Sequence, residues 1–414
     1  MNKLTNCMSY FICLYVFLLP ILPSKFKYNN IPINGDIILG IIIILYLINI
    51  IIIKESKKRF IKGIKDFFTS CNSIFMFLWV AMMFISIIYA TDKKLALQEG
   101  IRISTYIVLF FIIKYDMYKK EMMDRIIYSS ITVSLIIGII GVYEYFNGIG
   151  LHQSGQFGSI IRISSTIENS NNLGAFFLLI IFPFAVLALN ENNRKRKILF
   201  SFCSLLALIN IIASFSRNAW LGLIVGYIAL IFVYNLRLVY GAILGSGIAF
   251  CIPKISNRLR EIGDISQNLS RISLWTIAVK MIKEHPILGV GNGNYRTLYN
   301  EYYNKVKHLD GYKAHENFHP HNAYLKAQCE LGIVGSISLI GFLVSSLIKT
   351  NIFSNNVDND FYKYFYKGFT ASIVAFMFMN FIDNFFSAPK VVAFFFIFLA
   401  ISDSYSYNIK NKSL

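Results

Sequence analysis

Long apolar runs alternate with short polar segments over most of the chain. Most runs approach the ~20 residues that an α-helix needs to cross a bilayer, and the shorter ones at 101–114 and 391–403 must extend into flanking polar residues. The pattern predicts an all-α fold, a polytopic membrane protein of about 12 transmembrane helices. The predicted spans are 7–22, 36–53, 67–90, 101–114, 126–146, 172–190, 198–215, 219–234, 238–252, 322–348, 365–382 and 391–403. We interpret the first as a retained helix, because no convincing small-residue cleavage site follows it.

The segment 253–320 departs from this pattern, because it is too long and too polar for a simple connector. Apolar residues at helical spacing over 274–282 predict a helix, and three glycines at 289, 291 and 293 predict a tight turn after it. We expect one or two short helices packed over the bundle. The chain then divides into N-terminal helices (1–146), central helices with outward loops (147–252), the large loop (253–320) and C-terminal helices (321–414).

Composition supports a lipid environment. The chain has 414 residues, of which 56% are hydrophobic and 15% charged, and its mean hydropathy is +0.55. Soluble domains carry about 25% charged residues, so a soluble globular protein is excluded. The net charge of +18 comes from basic residues dispersed between apolar runs. That dispersion indicates contact with anionic membrane lipids and no nucleic acid partner.

The distribution of Lys and Arg predicts the orientation. Strongly basic connections at 54–65, 114–125 and 191–198 fall on one side of a bundle of about twelve helices, together with both termini. By the positive-inside rule that side is the cytoplasm. The loops expected to face outward are 91–100, 147–171, 216–218, 253–320 and 383–390.

Two arginines lie next to predicted helices of the bundle, where a charged side chain is energetically costly and is therefore usually functional. Arg217 lies between two apolar runs with almost no polar connector, so its guanidinium lies at the membrane surface or inside the bundle. Snorkelling to lipid headgroups would explain it equally well. Arg271 opens the amphipathic loop helix, and its planar fork suits a diphosphate, although a solvated helix-face charge is the simpler interpretation. Weaker candidates in the same loop are Arg258, Arg260 and Arg296.

A histidine lies where the large loop re-enters the membrane. An imidazole such as that of His321, which Asn322 follows, can take a proton from an attacking hydroxyl, but a lone loop histidine is more often structural. The spacing of His319 and His321 also permits metal binding. Because no carboxylate or cysteine cluster accompanies them, we expect no metal. Asp383, in the last outward loop, could position an Arg or a substrate hydroxyl.

Four motifs occur in order between residues 150 and 345. HNAYLKAQCELGIVG contains a complete His-(Asn/Ser/Gln)-x9-Gly-x-x-Gly signature, and HPILGVGNGNY upstream is similar to a Pro-x-x-Gly-x-Gly stretch. ASFSRNAW is similar to a Ser-Arg segment at the end of a span. STIENSNNLGAFF is similar to an outward Thr-x-x-Asn-x-Asn entry, with Asn169 and Asn171 at the amide positions. Together they resemble the O-antigen ligase and polymerase family of bacterial surface-polysaccharide enzymes; the N-terminal third matches only in hydropathy.

The resemblance implies a metal-independent membrane glycosyltransferase without a cofactor, at the outer face of the bacterial cytoplasmic (inner) membrane. Such an enzyme moves a glycan from undecaprenyl diphosphate to a hydroxyl of a glycan or lipid-anchored acceptor and inverts the anomeric centre. Carried over by motif, His321 is the general base, and Arg217 and Arg271 bind the diphosphate. Asp383 matches a family acidic residue less closely and, like the motif asparagines 169, 171 and 322, supports the site.

Other functions remain open on the sequence alone. A transporter or flippase of lipid-linked glycans would also need many helices and buried Arg. It would not need a histidine at a helix entry, and the inverted repeats expected of it are not clear between the two halves. A membrane scaffold is disfavoured, since the polar motifs concentrate on one predicted face. The motifs do not separate a ligase from a polymerase.

Overall fold

The computed structural model describes residues 3–24, 27–28, 31–32, 35–155, 158–252, 256, 269–306 and 319–411. Within these ranges the chain is a helical bundle with two small antiparallel hairpins. The hairpins pair β1 (Lys27–Tyr28) with β2 (Ile31–Pro32) and β3 (Leu151–Gly155) with β4 (Gly158–Arg162). The helices are α1 (Lys3–Leu18), α2 (Gly35–Ile52), α3 (Lys54–Phe67), α4 (Cys71–Ile85), α5 (Lys93–Asp116), α6 (Lys120–Phe146), α7 (Ser170–Asn190), α8 (Arg194–Ala213), α9 (Arg217–Val233), α10 (Leu238–Cys251), α11 (Leu269–Glu284), α12 (Tyr295–Lys305), α13 (Ala323–Asn356), α14 (Asp360–Ile382) and α15 (Pro389–Lys410).

Each predicted apolar run coincides with one of these helices, which confirms an all-α polytopic membrane protein. In the described part of the chain, nine helices are long and apolar enough to cross a membrane: α2, α4 with the turn that follows it, α5, α6, α7, α8, α13, α14 and α15. Helices α1 and α9 are apolar but shorter, and α10 has 14 residues. The count of about 12 spans and the four-part division stay predictions.

The basic segment 54–65 is a helix rather than an open connection between spans. One residue, Ile53, separates α2 from α3, and the buried face of α3 contains Ser56, Gly63 and Phe67. From the edge of that face Arg59 Nε donates to Asp116 Oδ1 at the end of α5, at 2.6 Å. The lysines of α3 are exposed, so the helix has the amphipathic character of one that lies along an interface. Because α3 has a low apolar content, the sequence pattern predicted a polar connection there and not a helix.

Helix α7 is almost wholly buried and packs against α8, α9 and α14, as expected for a helix that is apolar on every side. It contains Pro183, whose nitrogen cannot donate to the carbonyl of Leu179. The hydroxyl of Ser372 on α14 donates to that carbonyl instead, at 3.2 Å. Gly368 allows this close approach, because a Cβ there would collide with the backbone of Phe182 and Pro183. The neighbouring helix α14 thus supplies the hydrogen-bond donor that the Leu179 carbonyl lacks because of the proline.

The described part of the segment 253–320 consists of α11, a glycine turn and α12. Both helices pack against α13, and they share a small core formed by Leu274, Ile277, Met281, Tyr295 and Tyr299 among others. The helix predicted at 274–282 is therefore confirmed as part of α11. Arg258 and Arg260 lie outside the described residues. The outward orientation of this segment stays a prediction.

The turn between α11 and α12 depends on glycine. Its backbone N–H groups at Val290 and Gly291 donate to the carbonyls of Cys329 and Glu330 on α13, each at 2.9 Å. This docking requires a left-handed backbone, which glycine adopts without strain. The positive φ angles are 73° at Gly289, 101° at Gly291 and 72° at Gly293. The predicted tight turn is confirmed.

The glycine of the His-x9-Gly signature meets the same turn. Gly332 has a non-helical backbone with φ 65°, which kinks α13. A Cβ at Gly332 would collide with the carbonyl oxygen of Ile287, and one at Gly289 would lie 2.5 Å from the backbone of Glu330. Two motifs that are far apart in the sequence therefore use glycine for one contact, where the loop crosses α13.

Candidate active site

His321 lies at the entry to α13, in a short segment fixed from both sides. The side chain of Asn322 caps the helix, since its Oδ1 accepts the N–H groups of Tyr324 and Leu325, each at 3.0 Å. The indole Nε1 of Trp275 on α11 donates to the carbonyl of Pro320 at 2.8 Å. His321 itself has φ 46°, a left-handed conformation that is uncommon and strained for a non-glycine residue.

Asp383 orients the His321 ring. The Oδ1 atom of Asp383, at the C-cap of α14, lies 2.9 Å from His321 Nδ1, and its backbone carbonyl accepts the N–H of Ala323 at 3.1 Å. Burial alone would raise the pKa of Asp383, but the hydrogen bond and charge of His321 outweigh it and lower that pKa. The carboxylate is therefore ionised and can only accept, so Nδ1 carries the proton. In the neutral ring, Nε2 is then left as a proton acceptor.

His319 packs against His321, with ring centroids 4.1 Å apart. Its Nδ1 accepts the backbone N–H of His321 at 3.2 Å, which fixes the start of the turn. Burial lowers the pKa of His319 to about 3, so this ring is neutral at physiological pH. The two histidines therefore differ: one ring is neutral and structural, and the other is paired with a carboxylate.

The expectation that no carboxylate accompanies the two histidines is wrong. One ligand atom each from His319, His321 and Asp383 lie within 4.8 Å of one another, and these residue types can ligate Zn²⁺ or Fe²⁺. The carboxylate comes from a position 62 residues after His321, which the local spacing did not reveal. In the present arrangement the Nδ1 atoms are used by protein partners, so a metal would have to displace these contacts or use Nε2. Metal independence stays a prediction.

A hydrogen-bond network continues from Asp383 to the α8–α9 turn. Asn171 Nδ2 donates to Asp383 Oδ2 at 3.4 Å, and Arg162 Nη2 donates to Asn171 Oδ1 at 2.8 Å. Arg162 Nε in turn donates to the carbonyl of Ser214 at 3.1 Å. Arg162 was not among the site residues predicted from the sequence. An arginine in a loop predicted to face outward, where the positive-inside rule disfavours it, was the available signal.

Arg217 lies at the same end of the bundle. It is half-buried in the first turn of α9, directly after the N-cap Ser216. The neighbouring Asn218 donates from Nδ2 to the carbonyl of Met379 at 3.2 Å, and the N–H of Asp383 donates to the same carbonyl at 2.9 Å. The Arg217 turn is thereby joined to the helix end that carries the partner of His321.

The remaining candidates have different surroundings. Arg271, half-buried in the first turn of α11, precedes Trp275 by four residues, and positions four apart share a helix face. It therefore lies on the side of α11 that contacts Pro320. Asn169 caps α7 by accepting the N–H groups of Asn171 and Asn172, so it supports the position of Asn171 rather than facing His321.

Backbone strain concentrates in these loops. Among the described residues, the non-glycine positions with positive φ are Ser165 (49°), Glu168 (66°), Phe215 (45°) and His321 (46°). They lie just before α7, α9 and α13, the three helix starts that the network joins. Strained backbone of this kind occurs preferentially at functional sites.

A cavity of about 260 Å³ adjoins His319. Its walls come from α5, the start of α12 and the first turns of α13, and they carry charged side chains. No residue of α5 was predicted to belong to the site, although Arg102 is an ionisable residue inside a predicted span and such residues mark functional sites.

Comparison with known proteins gives two findings. Residues 202–340 match the family model described as O-antigen ligase. A protein of Haemophilus influenzae, described as an uncharacterized protein, is 25% identical over 370 residues, which cover 84% of this chain and 85% of that protein. The matched range 202–340 contains Arg217, Arg271 and His321, whereas Asn171 and Asp383 lie outside it.

Proposed function

Over residues 202–340 the chain belongs to the O-antigen ligase and polymerase family, and from that premise we propose that it transfers a glycan from undecaprenyl diphosphate to an acceptor hydroxyl. The observation that carries the proposal is the 2.9 Å pairing of His321 with Asp383, at the bundle end where Arg217 begins α9. A histidine paired with a carboxylate can act as a general base, and the nearby arginine can bind a negatively charged group such as a diphosphate.

The reaction is an inverting displacement. The acceptor oxygen attacks the anomeric carbon of the donor glycan from the face opposite the diphosphate, the new glycosidic bond forms, and the bond to the diphosphate oxygen breaks. The hydroxyl proton passes to Nε2 of His321, and the carboxylate of Asp383 stabilises the imidazolium that results. General base catalysis of this kind contributes about 10²–10⁴-fold to a rate.

The departing diphosphate gains negative charge as its bond breaks. Arg217 on α9 and Arg271 on α11 are the groups that would bind it, since a guanidinium fork donates to two oxygens and stays charged. Fixed cations stabilise a developing charge without the reorganisation that water would need. The reaction requires no metal, because the two guanidinium groups supply the positive charge that a metal ion would otherwise provide.

The position of the site at helix entries suits a lipid-linked donor. The polyprenyl chain can stay in the bilayer while the diphosphate and glycan occupy the polar loops, which then face outward from the bacterial cytoplasmic membrane. The acceptor is either a lipid-anchored glycan, as for a ligase, or a second lipid-linked repeat, as for a polymerase. A transporter of such lipids is less well supported, since passage of a glycan needs no histidine–carboxylate pair.

The test is a transfer reaction with the purified chain in lipid nanodiscs. A synthetic undecaprenyl diphosphate-linked glycan is supplied with candidate acceptors, with and without EDTA, and the products are identified by mass spectrometry. We expect an acceptor enlarged by the glycan, released undecaprenyl diphosphate and a rate unaffected by EDTA. Loss of activity in EDTA would contradict metal independence. Movement of intact donor between vesicle leaflets without any transfer would support the transporter instead.

A further inference from the structure

The cavity next to His319 is lined by charged side chains that have no role in the proposed reaction. It has a volume of about 260 Å³, just below the range of about 300–1,000 Å³ that small-molecule pockets occupy. Charged residues from three elements line it: Glu99, Arg102, Arg296, Lys326 and Glu330. Such a mixture of donors and acceptors suits a sugar, whose hydroxyl groups need both.

The carboxylate of Glu330 accepts hydrogen bonds from the protein backbone. Its buried carboxylate accepts the N–H of Gly293 at 2.8 Å and that of Tyr295 at 3.4 Å, which holds the start of α12. Lys326 Nζ lies 3.8 Å from it, beyond hydrogen-bond distance. Among the described residues no acceptor lies within hydrogen-bond distance of Lys326 Nζ, so the lysine is attracted to Glu330 while its donors can bind another partner.

Arg102 and Glu99 are paired on α5. Arg102 Nη2 donates to Glu99 Oε2 at 2.6 Å, and Nη1 donates to the carbonyl of Phe386 at 2.7 Å. Arg296 is exposed and, among the described residues, has no carboxylate at ion-pair distance. Within the part of the chain that the structure describes, the charges that remain for a ligand are therefore the cations Lys326 and Arg296, while Glu99 still has acceptor capacity.

The cavity and the arginines assigned to the diphosphate approach the histidine pair from different elements. His319 lines the cavity and its ring contacts the His321 ring, whereas Arg217 is joined to Asp383 through α9 and α14. Ser387, four residues after Asp383, also lines the cavity. A base between two binding regions is the arrangement that a reaction with two substrates needs.

We propose that this cavity is the acceptor subsite and that it selects a sugar unit with an acidic group, a carboxylate or a phosphate. Lys326 and Arg296 bind the acidic group, and Glu99 accepts a hydrogen bond from a sugar hydroxyl. The assignment to the acceptor rests on the proposed function, but the preference for an acidic sugar does not.

The experiment compares the binding of two small probes to the full chain in zwitterionic nanodiscs: methyl glucuronoside, which is acidic, and methyl glucoside, which is neutral. A charge-assisted hydrogen bond distinguishes them by about tenfold or more, so we expect the acidic probe to have a Kd lower by about that factor. The preference should fall to within about twofold in Lys326→Gln and Arg296→Gln. It should persist in the matched control Lys280→Gln, whose lysine lies on the exposed face of α11 beside Glu284.

Equal affinity of the wild type for both probes, or a preference that survives both variants, would overturn the proposal. Displacement of the acidic probe by phosphatidylglycerol in the disc would assign the cavity to a lipid phosphate and overturn it too. Loss of undecaprenyl diphosphate affinity in the same variants would assign it to the donor. If the wild type prefers the acidic probe but transfers no glycan, the proposed reaction fails and the acidic-sugar site stands.

Discussion

His321 Nδ1 lies 2.9 Å from Asp383 Oδ1, although the two residues are 62 positions apart in the chain. The contact joins the entry of α13 to the end of α14, and a backbone hydrogen bond from Ala323 to the carbonyl of Asp383 fixes the two ends together. The same carboxylate accepts from Asn171, so α7 is held to this junction as well. The proposed chemistry therefore rests on three helix ends whose relative positions the network maintains.

Replacing Asp383 with Asn should slow transfer far more than it weakens donor binding. The amide has the size of the carboxylate, but it carries no charge to stabilise an imidazolium and can donate to Nδ1, which favours the wrong tautomer. We expect kcat to fall by about 10² or more, with the donor KM little changed. The exposed Asp358→Asn is the matched control. A wild-type kcat in Asp383→Asn would remove Asp383 from the mechanism.

Replacing Arg217 or Arg271 with Lys tests diphosphate binding. The charge is kept, but the planar fork that contacts two oxygens is lost. We expect the donor KM to rise about tenfold or more in each variant, measured with saturating acceptor. Arg237→Lys, at an exposed position just before α10, should have no effect. Unchanged kinetics in Arg217→Lys would support an arginine that only snorkels to lipid headgroups.

His319 should not contribute an ionisation to the activity between pH 5 and 8. Burial disfavours its charged form and lowers its pKa to about 3, so the ring stays neutral throughout that range. Replacement by Asn retains an acceptor for the backbone N–H of His321 and removes the titrating group. The profile of kcat/KM against pH should therefore keep its shape in His319→Asn. The disappearance of an ionisation from this window would show that His319 titrates there.

The signature glycine should matter for folding rather than for chemistry. In Gly332→Ala the new Cβ would collide with the carbonyl of Ile287, and the backbone at φ 65° would be strained. We expect a loss of about 1–3 kcal/mol or more in stability, measured as a lower melting temperature of the purified protein. Gly40→Ala, where a Cβ meets nothing within 4 Å, should be neutral or stabilising. Equal melting temperatures for the two variants would contradict the close contact.

The periodicity of apolar residues predicted the helices well, because a bilayer imposes nearly the same length and hydropathy on every span. The turn at Gly289–Gly293 was also predicted, since a left-handed backbone depends on local residue types. The N-cap at Asn322 was not predicted, although asparagine before an apolar run is a local signal for it. Helix α3 was missed as a helix for the converse reason. Its stability comes from tertiary contacts such as Arg59 with Asp116, which a low apolar content does not reveal.

The pairing within the site could not be predicted, because it depends on how distant helix ends meet. The resemblance gave His321 and a weaker match at Asp383, but neither residue type specifies a partner by itself. Arg162 and Arg102 were overlooked although each was a charge at an unfavourable place, in an outward loop and within a span. An arginine in such a position is itself a signal that a buried partner exists.

The most direct test of the account is the product formed by His321→Ala from a defined undecaprenyl diphosphate-linked glycan and its acceptor, followed by mass spectrometry. His285→Ala, at an exposed position after α11, is the matched control, and size-exclusion chromatography establishes that both variants are folded. The account predicts that His321→Ala lowers the rate of transfer by about 10² or more while His285→Ala retains it. Transfer at the wild-type rate by folded His321→Ala would contradict the assignment of His321 as the base.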